Sequence, residues 1–133
     1  MRTIRYLTTA LLPGVLLATL ATEPAGAHHS GSMFDQNQQV TLTGTVREFQ
    51  WTNPHSWIQL MVPGDDGKPV EWSIEMAAPS GLYRQGWRQS TLKPGDSIVV
   101  VINPVRDGGK AGNFVSGTRA DGSVLGRKAG GTP

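Results

Sequence analysis

From residue 40 onward the chain alternates short apolar and polar positions between turns rich in proline and glycine, a pattern that fits a small β fold and little else. Val40 to Gln50 carries Val40, Leu42 and Val46 on one face, with Gly44 where a bend or a close backbone approach is tolerated. Thr52-Asn53-Pro54 ends this first strand, because proline lacks the N–H that a ladder needs and pushes Asn53 toward extended or turn geometry. Ser56 to Val62 reads as a second strand, Pro63-Gly64-Asp65-Asp66-Gly67 as a hairpin loop, and Val70 to Met76 as a third strand. In the third strand Val70, Trp72, Ile74 and Met76 share a face, and alternation assigns Glu71 and Glu75 to the solvated side.

The alternation breaks at Pro79 to Trp87, where Ser80 to Arg84 suits a short helix ended by Gly86. Lys93-Pro94-Gly95-Asp96 is a turn, Ile98 to Ile102 a buried strand, and Asp107-Gly108-Gly109-Lys110 a turn into a last strand near Phe114 to Arg119. Val124 and Leu125 make a short addition. Three strands, a short helix and two more strands is the order of oligonucleotide/oligosaccharide-binding (OB) barrels. The expected fold is therefore mainly β, a five- to six-stranded OB-like barrel with one short helix, and a Greek-key sandwich comes second.

The amino-terminal segment has the layout of a secretory signal: Arg2 and Arg5, an apolar stretch from Leu7 to Leu20, then Ala25-Gly26-Ala27 as a small-residue cleavage site. Pro13 interrupts the apolar run, and Glu23 and Pro24 close it, so cleavage is favoured over a retained membrane span. The expected organisation is a signal peptide at 1–27, a polar arm at 28–39, a barrel at 40–126 and a disordered, glycine-rich tail at 127–133, the mature protein lying in the periplasm or outside the cell. Cleavage would remove Arg2, Arg5 and Glu23 and take the formal charge from +2 to +1. Without a basic block or a basic helix, nucleic acid is not an expected partner. The chain has no cysteine, which removes thiolate zinc sites, redox dithiols and cysteine nucleophiles.

Several segments together resemble a family of small secreted bacterial proteins known as a domain of unknown function. They are His28-His29-Ser30, Met33-Phe34-Asp35, Val40-Thr41-Leu42-Thr43-Gly44-Thr45-Val46, Trp51-Thr52-Asn53-Pro54-His55, Gly86-Trp87 and Leu92-Lys93-Pro94-Gly95-Asp96. The two histidine motifs are the specific part. The resemblance implies export and a small β fold and brings no assigned activity.

The three histidines of the chain fall in those two motifs, and their chemistry points to a metal ion. If Ala27 is the last residue removed, His28 becomes the amino terminus, and its amine and ring can close one chelate on the same ion. This resembles the histidine-brace copper sites of certain secreted proteins. Imidazole and amine donors suit copper, nickel and zinc, with Cu(II) favoured by the intrinsic affinity order. Cleavage one residue earlier gives Ala27-His28-His29, which is also a copper chelator. His28, His29 and His55 are therefore the expected ligands, copper the expected metal with another transition metal as the alternative, and a second envelope protein a candidate partner. Asp35 and Met33 on the arm, and Met61 in the second strand, are weaker candidates, since a solvated carboxylate explains Asp35 and core filling explains Met61 as well.

The competing reading is a metal-free ligand-binding or protein-interaction barrel, in which Trp51 and Trp57 matter and the histidines do not. Trp72 and Trp87 are expected in the core. Asp65, Asp66, Asp107 and Asp121 are expected to serve their turns rather than bind Ca²⁺. An enzyme ranks third, with no catalytic residue assigned, because Ser30, His28, His29 and Asp35 have the composition of a triad but sit on a polar arm with no oxyanion hole in view.

Overall fold

The computed structural model describes residues 33–126. Five strands and one helix follow in the order β1 (Val40–Gln50), β2 (Trp57–Pro63), β3 (Pro69–Glu75), α1 (Pro79–Arg84), β4 (Ser97–Pro104) and β5 (Ala111–Arg119). The strands close into a barrel in the order β1-β2-β3-β5-β4, with β4 pairing back onto β1. Every pairing is antiparallel except β3 with β5, where Ser73–Glu75 runs parallel to Ala111–Asn113. This is the OB-like barrel expected from the order of elements.

Closure depends on β1 serving two neighbours. Its first half pairs with β4, from Val40 opposite Ile102 to Thr45 opposite Ser97, and its second half pairs with β2, from Thr45 opposite Met61 to Gln50 opposite Trp57. The change of partner falls at Gly44 and Thr45, and a register shift between Val46 and Glu48 adds local twist. A Cβ on Gly44 would collide with the carbonyl oxygen of Met61, so the strand can turn the corner only without a side chain there.

Inward positions alternate along each strand as expected: Leu42 and Val46, Ile58 and Leu60, Ile74, and Ile98, Val100 and Ile102 fill the barrel. Leu82 from α1, then Trp87 and Leu92, close one end, and Leu125 joins the same cluster. The helix starts at Pro79, where the missing N–H costs nothing, and is followed by Gly86 at φ 90°. Trp87 packs edge-on against Phe114 at 5.4 Å between ring centroids and meets Phe49 at 5.9 Å. Trp51 and Trp72 are half-buried against the core.

Two expectations need correcting. The part of the arm within the described residues is more than a polar strap: Phe34 is only 1% exposed and bridges to Val105. It extends the barrel beside the end of β4 through hydrogen bonds from Asp35 N–H to the Pro104 carbonyl (2.8 Å) and from Arg106 N–H to the Met33 carbonyl (2.9 Å). The Asn103 side chain, itself buried, donates to the Gln38 carbonyl at 2.8 Å and secures the same segment. The second correction is Glu75, assigned to solvent by alternation, whose side chain is 7% exposed. Glu71, four residues earlier, is solvated as expected and pairs with Arg47 at 2.8 Å.

Among the described residues, no helix is long and apolar enough to cross a membrane. The predicted signal peptide and the tail from residue 127 lie outside the described residues.

Candidate functional site

The turn from β1 to β2 carries the one histidine within the described residues. Trp51 leaves β1 with its ring edge-on to Phe49 at 5.7 Å, and the Thr52 hydroxyl donates to the His55 carbonyl at 3.0 Å, closing the bend around Asn53 and Pro54. Beyond the bend the chain is caught at once by β3. Ser56 N–H donates to the Ala77 carbonyl at 3.2 Å, and the Ser56 carbonyl accepts from Met76 N–H at 2.9 Å. The β2–β3 ladder thus runs one step past the Trp57–Glu75 pair.

Alternation then sets the side chains. Ser56 is wholly buried, with no partner for its hydroxyl among the described residues, and His55 lies beside the end of β3 with its side chain 35% exposed. His55 Nδ1 lies 2.5 Å from Glu75 Oε1. The backbone of Glu75 is held on both sides, paired with Trp57 of β2 and with Asn113 of β5. His55 and Glu75 line a cleft of about 300 Å³ where β5 parts from the end of β3, together with Gln85, Asn113, Leu82 and Val115. It combines carboxylate, imidazole and carboxamide groups with apolar walls.

The other candidates lie elsewhere. Met33, 49% exposed, and Asp35 sit on the arm beside the end of β4. Asp35 accepts from Asn37 N–H at 3.1 Å and lies 3.8 Å from the Arg106 guanidinium, so its carboxylate already serves a turn and an ion pair. This segment runs ahead of β1 alongside the end of β4, whereas His55 lies at the bend from β1 into β2. Met61 lines a different groove with Thr43, Gly44, Thr45 and Pro63, six residues along from His55, or roughly 20 Å at the rise of an extended strand. His28 and His29 fall outside the described residues. Among the described residues, no three or more His, Asp or Glu side chains stand together as a metal site.

The turn aspartates behave as turn chemistry predicts. Asp66 accepts from Lys68 N–H, Asp107 from Gly109 N–H and Asp121 from Ser123 N–H. The Ser123 side-chain hydroxyl, then its backbone N–H, hold the Asp121 carboxyl below the usual aspartate value of 3.8. Arg88 stacks over the Tyr83 ring at 3.8 Å and donates to the Trp87 carbonyl at 2.6 Å, holding the turn after α1.

Glu75 is the residue that sequence reasoning missed. Period-two alternation places it outward, correctly, but outward is solvent only where nothing crosses the sheet, and here the His55 bend lies against it. The only available signal is the pairing register that sets Trp57 opposite Glu75, which requires the hairpin to be aligned first.

The profile of a family described as "Family of unknown function (DUF6152)" matches residues 16–114. No curated protein matches the chain. Among solved structures, the crystal structure of the mitochondrial single-stranded DNA-binding protein Rim1 from S. cerevisiae aligns at a TM-score of 0.45 and 11% identity. That alignment covers 62% of this chain and 94% of that one. The likeness is distant and says nothing about function here.

Proposed function

The chain belongs to the DUF6152 family of unknown function, and on that premise we propose that it is an exported metal-binding protein that binds or handles copper through histidine donors. Export rests on the Arg2 and Arg5 region, the apolar stretch to Leu20 and the Ala25-Gly26-Ala27 cleavage signal. The primary chelator is the terminus that this cleavage creates, with the His28 amine and ring joined by His29. His55 is the third ligand, supplied by the barrel. Met61, in a different groove from His55, and Asp35, engaged with Asn37 and Arg106, are not assigned to this site.

The observation that carries the reading is the setting of His55. A core histidine is enclosed and spent on backbone hydrogen bonds, whereas this ring is one-third exposed at the edge of a polar cleft. His29 precedes Met33 by four residues, a reach of roughly 14 Å when extended. The arm therefore has to run toward the cleft for all three imidazoles to meet one ion.

The test is Cu(II) titration of correctly processed protein, followed by electron paramagnetic resonance. Nitrogen hyperfine structure is expected. One additional residue ahead of His28 should weaken binding by removing the free amine from the ligand set, and His55→Ala should weaken it again if the barrel contributes. Because the amine must lose its proton to coordinate, affinity should rise with pH through roughly 7.7 to 8. Affinity that is unchanged in both variants sinks the proposal and favours the metal-free reading, a ligand-binding or protein-interaction barrel in which Trp51 and Trp57 matter and the histidines do not. Recovery of the chain from the periplasm with His28 at its terminus is the matching test of export.

A further inference from the structure

The outer face of β1, β2 and β3 carries polar groups that the metal reading leaves unused. Pairing sets Gln50 opposite Trp57, Trp57 opposite Glu75 and Glu75 opposite Asn113, so these side chains form one row across β1, β2, β3 and β5. At the usual spacing of neighbouring strands the row spans roughly 14 Å. Glu48, Gln59 and Ser73 form a second row beside it. Ile58, Leu60 and Ile74 alternate with these positions and fill the barrel, which leaves both rows outside. Trp57 is out of keeping with its polar neighbours. Trp87 belongs to the core, and Trp51 and Trp72 pack against it, but Trp57 does neither, and among the described residues it meets no other ring. Its half-buried indole lies on the solvent side of β2.

We infer that this face binds a neutral, hydroxyl-rich chain, an oligosaccharide, stacked on Trp57 and held by the two polar rows. An indole covers the apolar C–H face of a sugar ring, while carboxamides and carboxylates beside it meet hydroxyls, which both donate and accept. The neighbouring side chains are already set in place: the Ser73 hydroxyl donates to Gln59 Oε1 at 2.7 Å, and Gln50 Nε2 donates to Glu48 Oε2 at 3.2 Å. Groups ordered before binding lose less freedom on binding. Charge selects against the anionic polymers that also stack on aromatics. The Arg47 guanidinium lies 2.8 Å from Glu71 and 3.6 Å from Glu48, so it is spent on the carboxylates of its own face, and phosphates or uronates would meet Glu48, Glu71 and Glu75. Beyond Glu75 the first row runs into the cleft of about 300 Å³ lined by Asn113, Gln85 and Val115, a recess for one end of the bound chain. The site stands whether or not the histidines hold a metal.

The experiment is titration of the ¹⁵N-labelled protein with cellohexaose, maltohexaose and chitohexaose, followed by NMR of the backbone amides and of the Trp57 indole N–H. The indole signal is assigned by its loss in Trp57→Phe. At least one of these glycans is expected to shift the Trp57 indole and the amides of Gln50, Gln59, Ser73 and Asn113, and a chelator in the buffer should leave the affinity unchanged. Trp57→Ala should weaken binding roughly tenfold or more, the scale of one lost aromatic stack, with Trp57→Phe and Gln50→Ala each costing less. Because Trp57 lies outside the core, its variants should keep the parent urea midpoint. If Trp57→Ala does not fold, the parent shifts and the Trp57→Phe affinity still decide. Glycans that shift nothing at millimolar concentration, shifts confined to another face, or affinity unchanged in Trp57→Ala overturn the site. Oligothymidine or polygalacturonate bound more tightly than the neutral glycans overturns the ligand class. Glycan binding that the chelator abolishes places the sugar on a metal and overturns the polar rows as its site.

Discussion

Single positions set hard limits on this barrel where backbone or charge leaves no alternative. At Gly44 a methyl group would meet the Met61 carbonyl at the point where β1 changes partner, and neither strand can move without opening the barrel. Gly44→Ala is expected to destabilise by about 1 to 3 kcal/mol, the usual range for overpacking, measured as a lower urea midpoint at unchanged slope. Asp121 shows the opposite case, a local effect with no global reach. Its carboxyl is held below 3.8, first by the Ser123 hydroxyl, then by the Ser123 N–H, with Arg119 contributing. A depressed folded-state value means that the stabilisation is complete above the ordinary carboxylate range and is lost as pH falls through the lowered value. Ser123→Ala should therefore move the Asp121 titration, followed by carboxyl NMR, upward toward 3.8. Because this turn is fully exposed, the unfolding midpoint at neutral pH should fall only slightly.

At the scale of elements, the extension of β1 by the arm determines how the leading histidines are tethered. Phe34 is the anchor, and Phe34→Ala should cost roughly 3 to 5 kcal/mol, as for other buried phenylalanines. Hydrogen exchange locates the damage: Asp35 N–H and Arg106 N–H, which bond across the arm and the end of β4, should lose protection before the amides of β2 and β3. Strand positions were readable from sequence because alternation and turn residues agree; β1 covers the expected Val40 to Gln50, and the other strands and α1 fall within a few residues of expectation. The arm was not readable in the same way. Phe34 is a lone aromatic in a polar stretch, and periodicity cannot be read from one residue. Glu75 escaped for the complementary reason, since a strand's own pattern tells which face a residue occupies but not what lies across that face.

For the whole molecule, the proposed metal site links binding to barrel folding only if His55 is among its ligands. The barrel is legible in sequence because closure, strand order and core all follow from local pattern plus one topology rule, whereas a ligand set drawn from an arm and a bend depends on how distant segments meet. Linkage thermodynamics turns that difference into a measurement. An ion stabilises a fold only by binding it more tightly than the unfolded chain, by about 2.7 kcal/mol at a free concentration one hundred times Kd. A chelator built from the His28 amine, His28 and His29 alone survives unfolding, so Cu(II) would bind both states and leave the melting temperature unchanged. A site completed by His55 exists only when β2 and β3 hold the bend in place. Cu(II) should then raise the melting temperature, but by less than the roughly 10 to 20 °C that binding to the folded state alone would give a domain near one hundred residues, because the terminal chelator also holds the ion in the unfolded chain. His55→Ala should abolish that rise while leaving terminal Cu(II) binding measurable by electron paramagnetic resonance. A melting temperature that Cu(II) does not move in the parent protein would confine the metal to the arm and exclude the barrel from the ligand set.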